Sequence, residues 1–210
     1  MNTTPIKTDA KKQQRIVVCI DAGHGINTPG KCSPDRTLLE WKWNRQVALL
    51  VLDELKKRGI DSRLIVTEQQ DISLSERCKR VNRISKQVGA ANCILVSIHV
   101  NAAGGDGKWR DARGWSVYVS NNASYDSKRI ASMMYDAASE NGVKTRKPSQ
   151  VQKYWQQDLA ICRDTVCPAV LVENFFMDNK EDCEFLKSDN GKKTCAEIML
   201  NGILEYYCIK

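Results

Sequence analysis

Cys93-Ile94-Leu95-Val96-Ser97-Ile98-His99-Val100-Asn101 is the stretch that decides the fold. An apolar, β-branched run of this length predicts a buried strand, and the histidine near its end predicts that the strand carries chemistry. Residues 16–25 repeat this design, because a short apolar run there leads to a histidine set between two glycines. The chain has two histidines, His24 and His99. Both follow a predicted strand, at the sheet edge where open α/β sheets bind their ligands.

Strand and helix patterns alternate along the rest of the chain. Apolar residues at three- and four-residue spacing predict a helix from Leu39 to a stop at Gly59, and Ser73 and Glu76 form a capping-box pattern at the start of another helix. Further strands are predicted at residues 62–66, 114–120 and 169–174, the second of them half-exposed, and further helices at 74–88, 130–138 and 195–206. We therefore expect an α/β fold, with a twisted, mainly parallel sheet of about six strands flanked by helices on both faces.

The length of the chain favours a single domain. A chain of 210 residues is long enough for one domain with a hydrophobic core and too short for two of ordinary size. We expect a flexible N-terminal arm over residues 1–14 and a single domain over residues 15–210. Three loops are predicted, at residues 26–37, 102–113 and 143–157, the last of them basic, aromatic and on the surface.

Composition narrows the function classes. Apolar residues make up 42% of the chain and charged residues 27%, with no apolar run long enough to span a membrane. The polar N-terminal segment lacks the apolar centre of a signal peptide, so we expect synthesis in the cytoplasm. The net charge of +7 favours an anionic partner, but the basic residues are too scattered for a nucleic-acid surface. Attraction to a polyanionic cell wall or membrane surface is the more specific interpretation, and an ordinary solvated surface is the alternative.

The nine cysteines are interpreted as reduced thiols. Cys19, Cys93 and Cys208 lie in apolar runs, where cysteine behaves as a small buried hydrophobic residue. The spacing contains no CxxC zinc pattern. One disulfide remains open if the protein reaches an oxidising compartment.

Two histidines and a carboxylate, with a fourth position open, form the standard ligand set of a hydrolytic zinc site. His24, His99 and Glu40 are the candidate ligands, because Glu40 falls in the first turn of the helix that follows the His24 loop. Hydrolysis also needs a carboxylate that moves a proton without binding the metal. Glu173, at the end of its own predicted buried strand, is the candidate general base. Taken singly, each residue could instead be a turn, capping or salt-bridged residue.

Four motifs together resemble the zinc-dependent N-acetylmuramoyl-L-alanine amidases of the amidase-3 type. They are Asp21-Ala22-Gly23-His24-Gly25, Leu39-Glu40, residues 97–102 and residues 168–176, with Asn179 just beyond. The resemblance covers roughly residues 15–207, with the motifs in the family's order. It implies zinc on His24, Glu40 and His99, with Glu173 as the catalytic residue. The implied reaction is hydrolysis of the amide between the lactyl group of muramic acid and the first L-alanine of the peptidoglycan stem peptide.

Other positions of the chain either match the family pattern or depart from it. Arg77 and Asn82 also match it and are interpreted as structural residues. The chain departs from the pattern at Thr67-Glu68, where Thr-Arg is frequent, and at Ser116, where glutamate is common. Neither departure affects the four chemical positions. Asn101 and Asn174 are left open between turn and cleft-shaping roles, and the aromatic residues Trp109, Tyr154 and Trp155 are interpreted as partly buried loop anchors.

Other functions fit part of the pattern. A cell-wall-binding module without catalysis would explain the positive charge, and a zinc peptidase or deacetylase would share the chemistry on another substrate. Within the amidase interpretation, the partner is peptidoglycan and the protein is expected to be a monomer that acts at the cell wall. A phage lysin and a cell-wall autolysin both remain open.

Overall fold

The fold was obtained as a computed structural model, which describes residues 16–209. The arm predicted for residues 1–14 lies outside the described residues. The strands are β1 (Val17–Ala22), β2 (Asp61–Leu64), β3 (Cys93–Asn101), β4 (Ser116–Ser120), β5 (Trp155–Gln157) and β6 (Ala169–Phe176). The helices are α1 (Glu40–Lys57), α2 (Leu74–Val88), α3 (Tyr125–Glu140), α4 (Ala160–Arg163), α5 (Lys180–Lys187) and α6 (Asp189–Tyr206).

The six strands form one sheet in the order β2-β1-β3-β6-β4-β5. The pairs β2–β1, β1–β3 and β3–β6 are parallel, whereas β4 is antiparallel to β6 and parallel to β5. The predicted α/β fold with a mainly parallel sheet is therefore confirmed. Because β1, β3 and β6 are adjacent and parallel, the ends that carry the histidines and Glu173 lie at one edge of the sheet.

Helices cover both faces of the sheet. Alternate residues of β1 point to opposite faces, so Val18 and Ile20 pack with α1, α3 and α6, while Val17 and Cys19 pack with α2 and α4. The buried residues on both faces give the near-continuous apolar strands that a covered parallel sheet requires. Within residues 16–209, no helix is both long and apolar enough to cross a bilayer.

Some predicted elements differ from the observed ones. The strand at 114–120 is buried on both faces and not half-exposed, because Ser116 and Ser120, which alternate with the apolar Trp115, Val117 and Val119, are also inaccessible. The predicted surface loop at 143–157 ends in a strand, β5, that pairs with β4. Helix α6 begins at Asp189, six residues before the predicted start, because the Ser188 side chain caps it. Helices α4 and α5 were not predicted.

All nine cysteines are free thiols in the structure. Seven are buried, whereas Cys32 is intermediate and Cys208 is exposed. Cys208 therefore differs from the buried position that its apolar surroundings suggested. The Sγ atoms of Cys19 and Cys93 lie 3.6 Å apart between neighbouring strands.

Candidate active site

Four side chains from four elements meet at the carboxyl edge of the sheet. His24 follows β1, His99 lies near the end of β3, and Glu40 is the first residue of α1. Glu173 lies in β6 directly opposite His99 in the strand register. The structure thus brings together all four residues singled out from the sequence.

Glu40 is placed by the loop before α1. Its backbone N–H donates to the carbonyl oxygen of Lys31 at 3.0 Å, which turns the chain into the helix. An acidic side chain in the first helical turn is stabilised by the positive end of the helix dipole. Glu40 is nonetheless 1% exposed, so its charge requires nearby donors or a cation.

The imidazoles and the Glu40 carboxylate form a compact group. Nε2 of His24 lies 3.4 Å from Oε1 of Glu40, and Nδ1 of His99 lies 3.2 Å from the same oxygen. The two rings are nearly perpendicular, with centroids 4.9 Å apart. One ligand atom from each residue falls within 4.8 Å of the others, so the group could hold a metal ion.

The two oxygens of the buried Glu40 carboxylate differ in their hydrogen bonds. Oε1 accepts from the backbone N–H of Val100 at 3.0 Å, in addition to its contacts with the imidazoles. Oε2 is buried and has no hydrogen-bond partner among residues 16–209. A buried carboxylate oxygen without a donor is costly, and a cation beside it would remove that cost.

Electrostatics within the group favour a charged carboxylate. Burial acts to raise the pKa of Glu40, but hydrogen bonds from His24 and His99 outweigh it and hold the pKa well below its usual range. Burial acts to lower the pKa of His99, but the Glu40 carboxylate outweighs it and raises that pKa. The negative charge of Glu40 thus organises the two imidazoles around it.

Glu173 is set apart from this group. Burial raises its pKa to about 7, opposed by the charge of His99 and reinforced by that of Glu40. Its Oε2 is buried without a hydrogen-bond partner in the described part of the chain. The charge of Lys31 also acts to lower this pKa, but no lysine in residues 16–209 forms a salt bridge with Glu173, so the salt-bridged alternative raised from the sequence is not realised there. A carboxyl group with a pKa near neutrality can both take up and release a proton.

The glycines beside His24 are required by close contacts. A Cβ atom on Gly23 would lie 2.2 Å from Cε1 of His99, because the imidazole packs directly on the Gly23 backbone. A Cβ atom on Gly25 would lie 2.0 Å from the backbone nitrogen of Asp71. Side chains at either position would push the two histidines or the adjoining loop apart.

Side chains behind the site support its backbone. Asn174 donates from Nδ2 to the carbonyl oxygen of His99 at 3.0 Å and accepts from Nε1 of Trp115 at 3.2 Å. Asn174 therefore acts as a structural support of the His99 strand. The sequence pattern does not distinguish this role from a turn or mark Trp115, because the contact between the two side chains depends on β4 lying antiparallel to β6.

The predicted structural residues occupy buried or loop-bridging positions. Asn82 bridges to the segment before β6 through the carbonyl oxygen of Asp164 and the N–H of Val166. Trp155 stacks on Tyr118 at a centroid distance of 6.2 Å, and Trp109 and Tyr154 pack partly buried against the core. Trp109 and Tyr154 are therefore partly buried loop residues, as predicted, whereas Trp155 lies in strand β5 and not in a loop.

Comparison with known proteins places the chain in a family. The model of the family Amidase_3, N-acetylmuramoyl-L-alanine amidase, matches residues 18–205. The chain belongs to the Amidase_3 family. The match spans both histidines, Glu40 and Glu173.

Curated relatives of this Amidase_3 chain come from a phage and from bacteria. It is 26% identical over 194 residues to an endolysin of Bacillus phage SPP1, covering 92% of this chain and 67% of the endolysin. It is 23% identical over 245 residues to the N-acetylmuramoyl-L-alanine amidase AmiC of Neisseria meningitidis, covering 98% of this chain and 56% of AmiC.

Solved amidase structures share the Amidase_3 fold seen here. An N-acetylmuramoyl-L-alanine amidase from Clostridium difficile 630 aligns with a TM-score of 0.81 at 27% identity, covering 94% of this chain and 99% of that one. The catalytic domain of CwlV, an amidase from Bacillus (Paenibacillus) polymyxa, aligns with a TM-score of 0.77 at 26% identity, covering 93% and 99%. The described residues thus match catalytic amidase domains over nearly their whole length.

Proposed function

We propose that this protein is a zinc-dependent N-acetylmuramoyl-L-alanine amidase. It hydrolyses the amide between the lactyl group of N-acetylmuramic acid and the L-alanine of the peptidoglycan stem peptide. The observation that carries this proposal is the group of His24, Glu40 and His99, with Glu173 opposite His99 on the next strand. Family membership supports the choice of substrate.

The donor set fits zinc. Two imidazole nitrogens and one carboxylate oxygen are the ligands of many hydrolytic zinc sites, and the buried, unpartnered Oε2 of Glu40 favours a cation. His24, Glu40 and His99 would hold the ion. When bound, zinc supplies a Lewis acid that polarises an amide carbonyl and lowers the pKa of water.

Glu173 would carry the proton through the reaction. It takes a proton from the attacking water, whose oxygen bonds to the amide carbon. As the C–N bond breaks, Glu173 gives that proton to the leaving nitrogen, which departs as the free amine of L-alanine. A pKa of about 7 suits both transfers, because neither protonation state is strongly favoured near neutral pH.

We further assign the catalytic domain to residues 15–210 and expect it to act as a monomer at the cell wall. The family match over residues 18–205 supports this assignment. The net charge of +7 would favour approach to an anionic wall polymer.

The decisive experiment is mass spectrometry of muropeptides digested by the purified protein, with metal analysis of the same sample. The proposal predicts bound zinc and intact stem peptides with a free L-alanine amine, and loss of both after chelation. Cleavage within the stem peptide would identify a peptidase, and loss of acetyl groups a deacetylase. Wall binding without any released product would indicate a binding module.

A further inference from the structure

Three successive backbone carbonyls around His24 are each held by a side chain from a helix. The carbonyl of Ala22 accepts from Nη1 of Arg77 at 2.8 Å, and that of Gly23 accepts from Nδ2 of Asn44 at 3.2 Å. The carbonyl of His24 accepts from Arg45 at 3.0 Å and from Arg77 at 3.3 Å. We call Asn44, Arg45 and Arg77 the backbone clamp.

The backbone that the clamp holds is strained. His24 has a φ of 62°, in the left-handed region that residues with a Cβ atom rarely adopt. This conformation directs the imidazole from the turn after β1 towards Glu40. A residue persists in such a conformation when its surroundings over-determine it, and two guanidinium groups on one carbonyl oxygen do so here.

Arg77 is itself fixed by ion pairs with two aspartates, the buried Asp21 and the exposed Asp71. The side chain is 2% exposed, and Nη1 also donates to Oδ1 of Asp21 at 2.7 Å. The other oxygen of Asp21 accepts from Ser97 at 2.6 Å. Nη2 of Arg77 donates to Asp71 at 2.8 Å as well. The guanidinium therefore has a set orientation when it meets the His24 turn.

The other two clamp residues come from the helix that carries Glu40. Asn44 lies four residues after Glu40, so both side chains project from the same face of α1. Arg45 follows and also donates to the carbonyl oxygens of Trp41 and Glu68. The first turns of α1 thus supply one candidate ligand and hold the backbone of another.

We propose that Asn44, Arg45 and Arg77 are positioning residues that hold the His24 imidazole in register with Glu40 and His99 for metal binding. The clamp adds a requirement on residues that do not touch the ion. This inference rests on the proposed zinc site, and its test measures metal affinity apart from hydrolysis.

The test uses the full chain with Arg45→Gln and Asn44→Ala, and zinc affinity is measured by competition with a chromogenic chelator. Arg45 is only partly buried, so this substitution is compatible with folding, which thermal unfolding of the metal-free protein checks. We expect each variant to lose zinc affinity by about 10–100-fold, the range found when supports of metal ligands are removed. Cobalt-loaded variants should show an altered visible absorption spectrum, because the geometry around the ion changes.

Arg80→Gln is the matched control. Arg80 is also a partly buried arginine that engages Glu68, but its other contacts are with Glu76 and the carbonyl of Ile65, away from the His24 turn. It should bind zinc as the wild type does. Arg45→Lys keeps the charge but donates from one nitrogen, so its affinity should fall between those of the wild type and Arg45→Gln.

The outcomes separate the two proposals. Wild-type protein that binds no zinc overturns the proposed function. Wild-type protein that binds zinc, with clamp variants that match Arg80→Gln in affinity and spectrum, overturns the clamp alone. Under saturating zinc, a clamp defect should remain as a lower kcat with little change in KM, because substrate contacts are untouched.

Discussion

The imidazole of His99 lies against the backbone of Gly23, in the space that any other side chain at position 23 would occupy. Gly23→Ala would place a Cβ atom 2.2–2.6 Å from three ring atoms of His99, so one of the two must move. For the proposed zinc site, we expect this variant to fold but to hold far less zinc than the wild type, as measured by elemental analysis.

Gly105→Ala serves as the control for Gly23→Ala, because nothing lies within 4 Å of a Cβ atom built there. If Gly23→Ala retained a full equivalent of zinc, the contact between position 23 and the imidazole would have no bearing on metal binding.

Replacing Glu173 should separate metal binding from turnover. Glu173→Gln keeps the shape of the side chain but removes its ability to accept a proton. We expect unchanged zinc content and a fall in kcat of about 10²–10⁴-fold, the usual contribution of a general acid–base group. The exposed Glu184→Gln is the control, and hydrolysis at the wild-type rate by Glu173→Gln would refute the assigned role.

Gly202 of α6 lies in close contact with Met134 of α3, where the two helices pack together. A Cβ atom at this position would lie 2.4 Å from Cγ of Met134 and 2.8 Å from its Cα. Because the second of these atoms is backbone, the side chain of Met134 is not able to relieve the contact alone. We expect Gly202→Ala to lower the free energy of unfolding by about 1–3 kcal/mol, measured by urea titration.

The neighbouring Asn201 is exposed on the same helix, so Asn201→Ala is the control for that measurement. Gly202→Ala with undiminished stability would mean that α6 shifts along α3 at little cost.

Asp71 should contribute stability that depends on pH. Burial acts to raise the pKa of Asp71, but hydrogen bonds from Thr28 and Arg77 outweigh it and lower the pKa below its usual range. A carboxyl group with a depressed pKa stabilises the fold above its unfolded-state pKa, and this stabilisation is lost as the pH falls through the folded-state pKa. The stability difference between the wild type and Asp71→Asn should therefore be largest near pH 7.

The difference in unfolding free energy between the wild type and Asp71→Asn should decrease as the pH is lowered below about 4, the unperturbed pKa range of an aspartate. Chemical unfolding at a series of pH values measures this difference. Asp111→Asn, an exposed aspartate in another loop, controls for general effects of charge. A difference that stayed constant down to pH 2 would show that the Asp71 charge plays no part.

The sequence predicted the long elements and the four convergent residues well. Strands β1 and β3 are continuous apolar runs, and α1 and α2 have strong helical periodicity, so local pattern suffices for each. Short elements were missed, because β5 has three residues and α4 has four, too few to show a period. Their structure depends on pairing with β4 and on packing against α2.

The supporting side chains depend on contacts that no local pattern contains. Asn44 and Arg45 look like ordinary polar residues of an amphipathic helix, and their role appears once α1 lies beside the turn after β1. The register between His99 and Glu173 is likewise set by the pairing of β3 with β6. The sequence contains one indication of the role of Asn44. Asn44 lies four residues after Glu40, which places both side chains on the same face of the helix.

The first two turns of α1 contain Glu40, Asn44 and Arg45. The geometry of the proposed metal site therefore depends strongly on the order of this end of the helix. Fraying there would release one proposed ligand and free the backbone of another in the same event, so occupancy of the proposed metal site and local order would be thermodynamically linked. Amide protons at the start of α1 should consequently exchange with deuterated solvent more slowly once the ion is bound, while those at the far end of the helix should exchange as before.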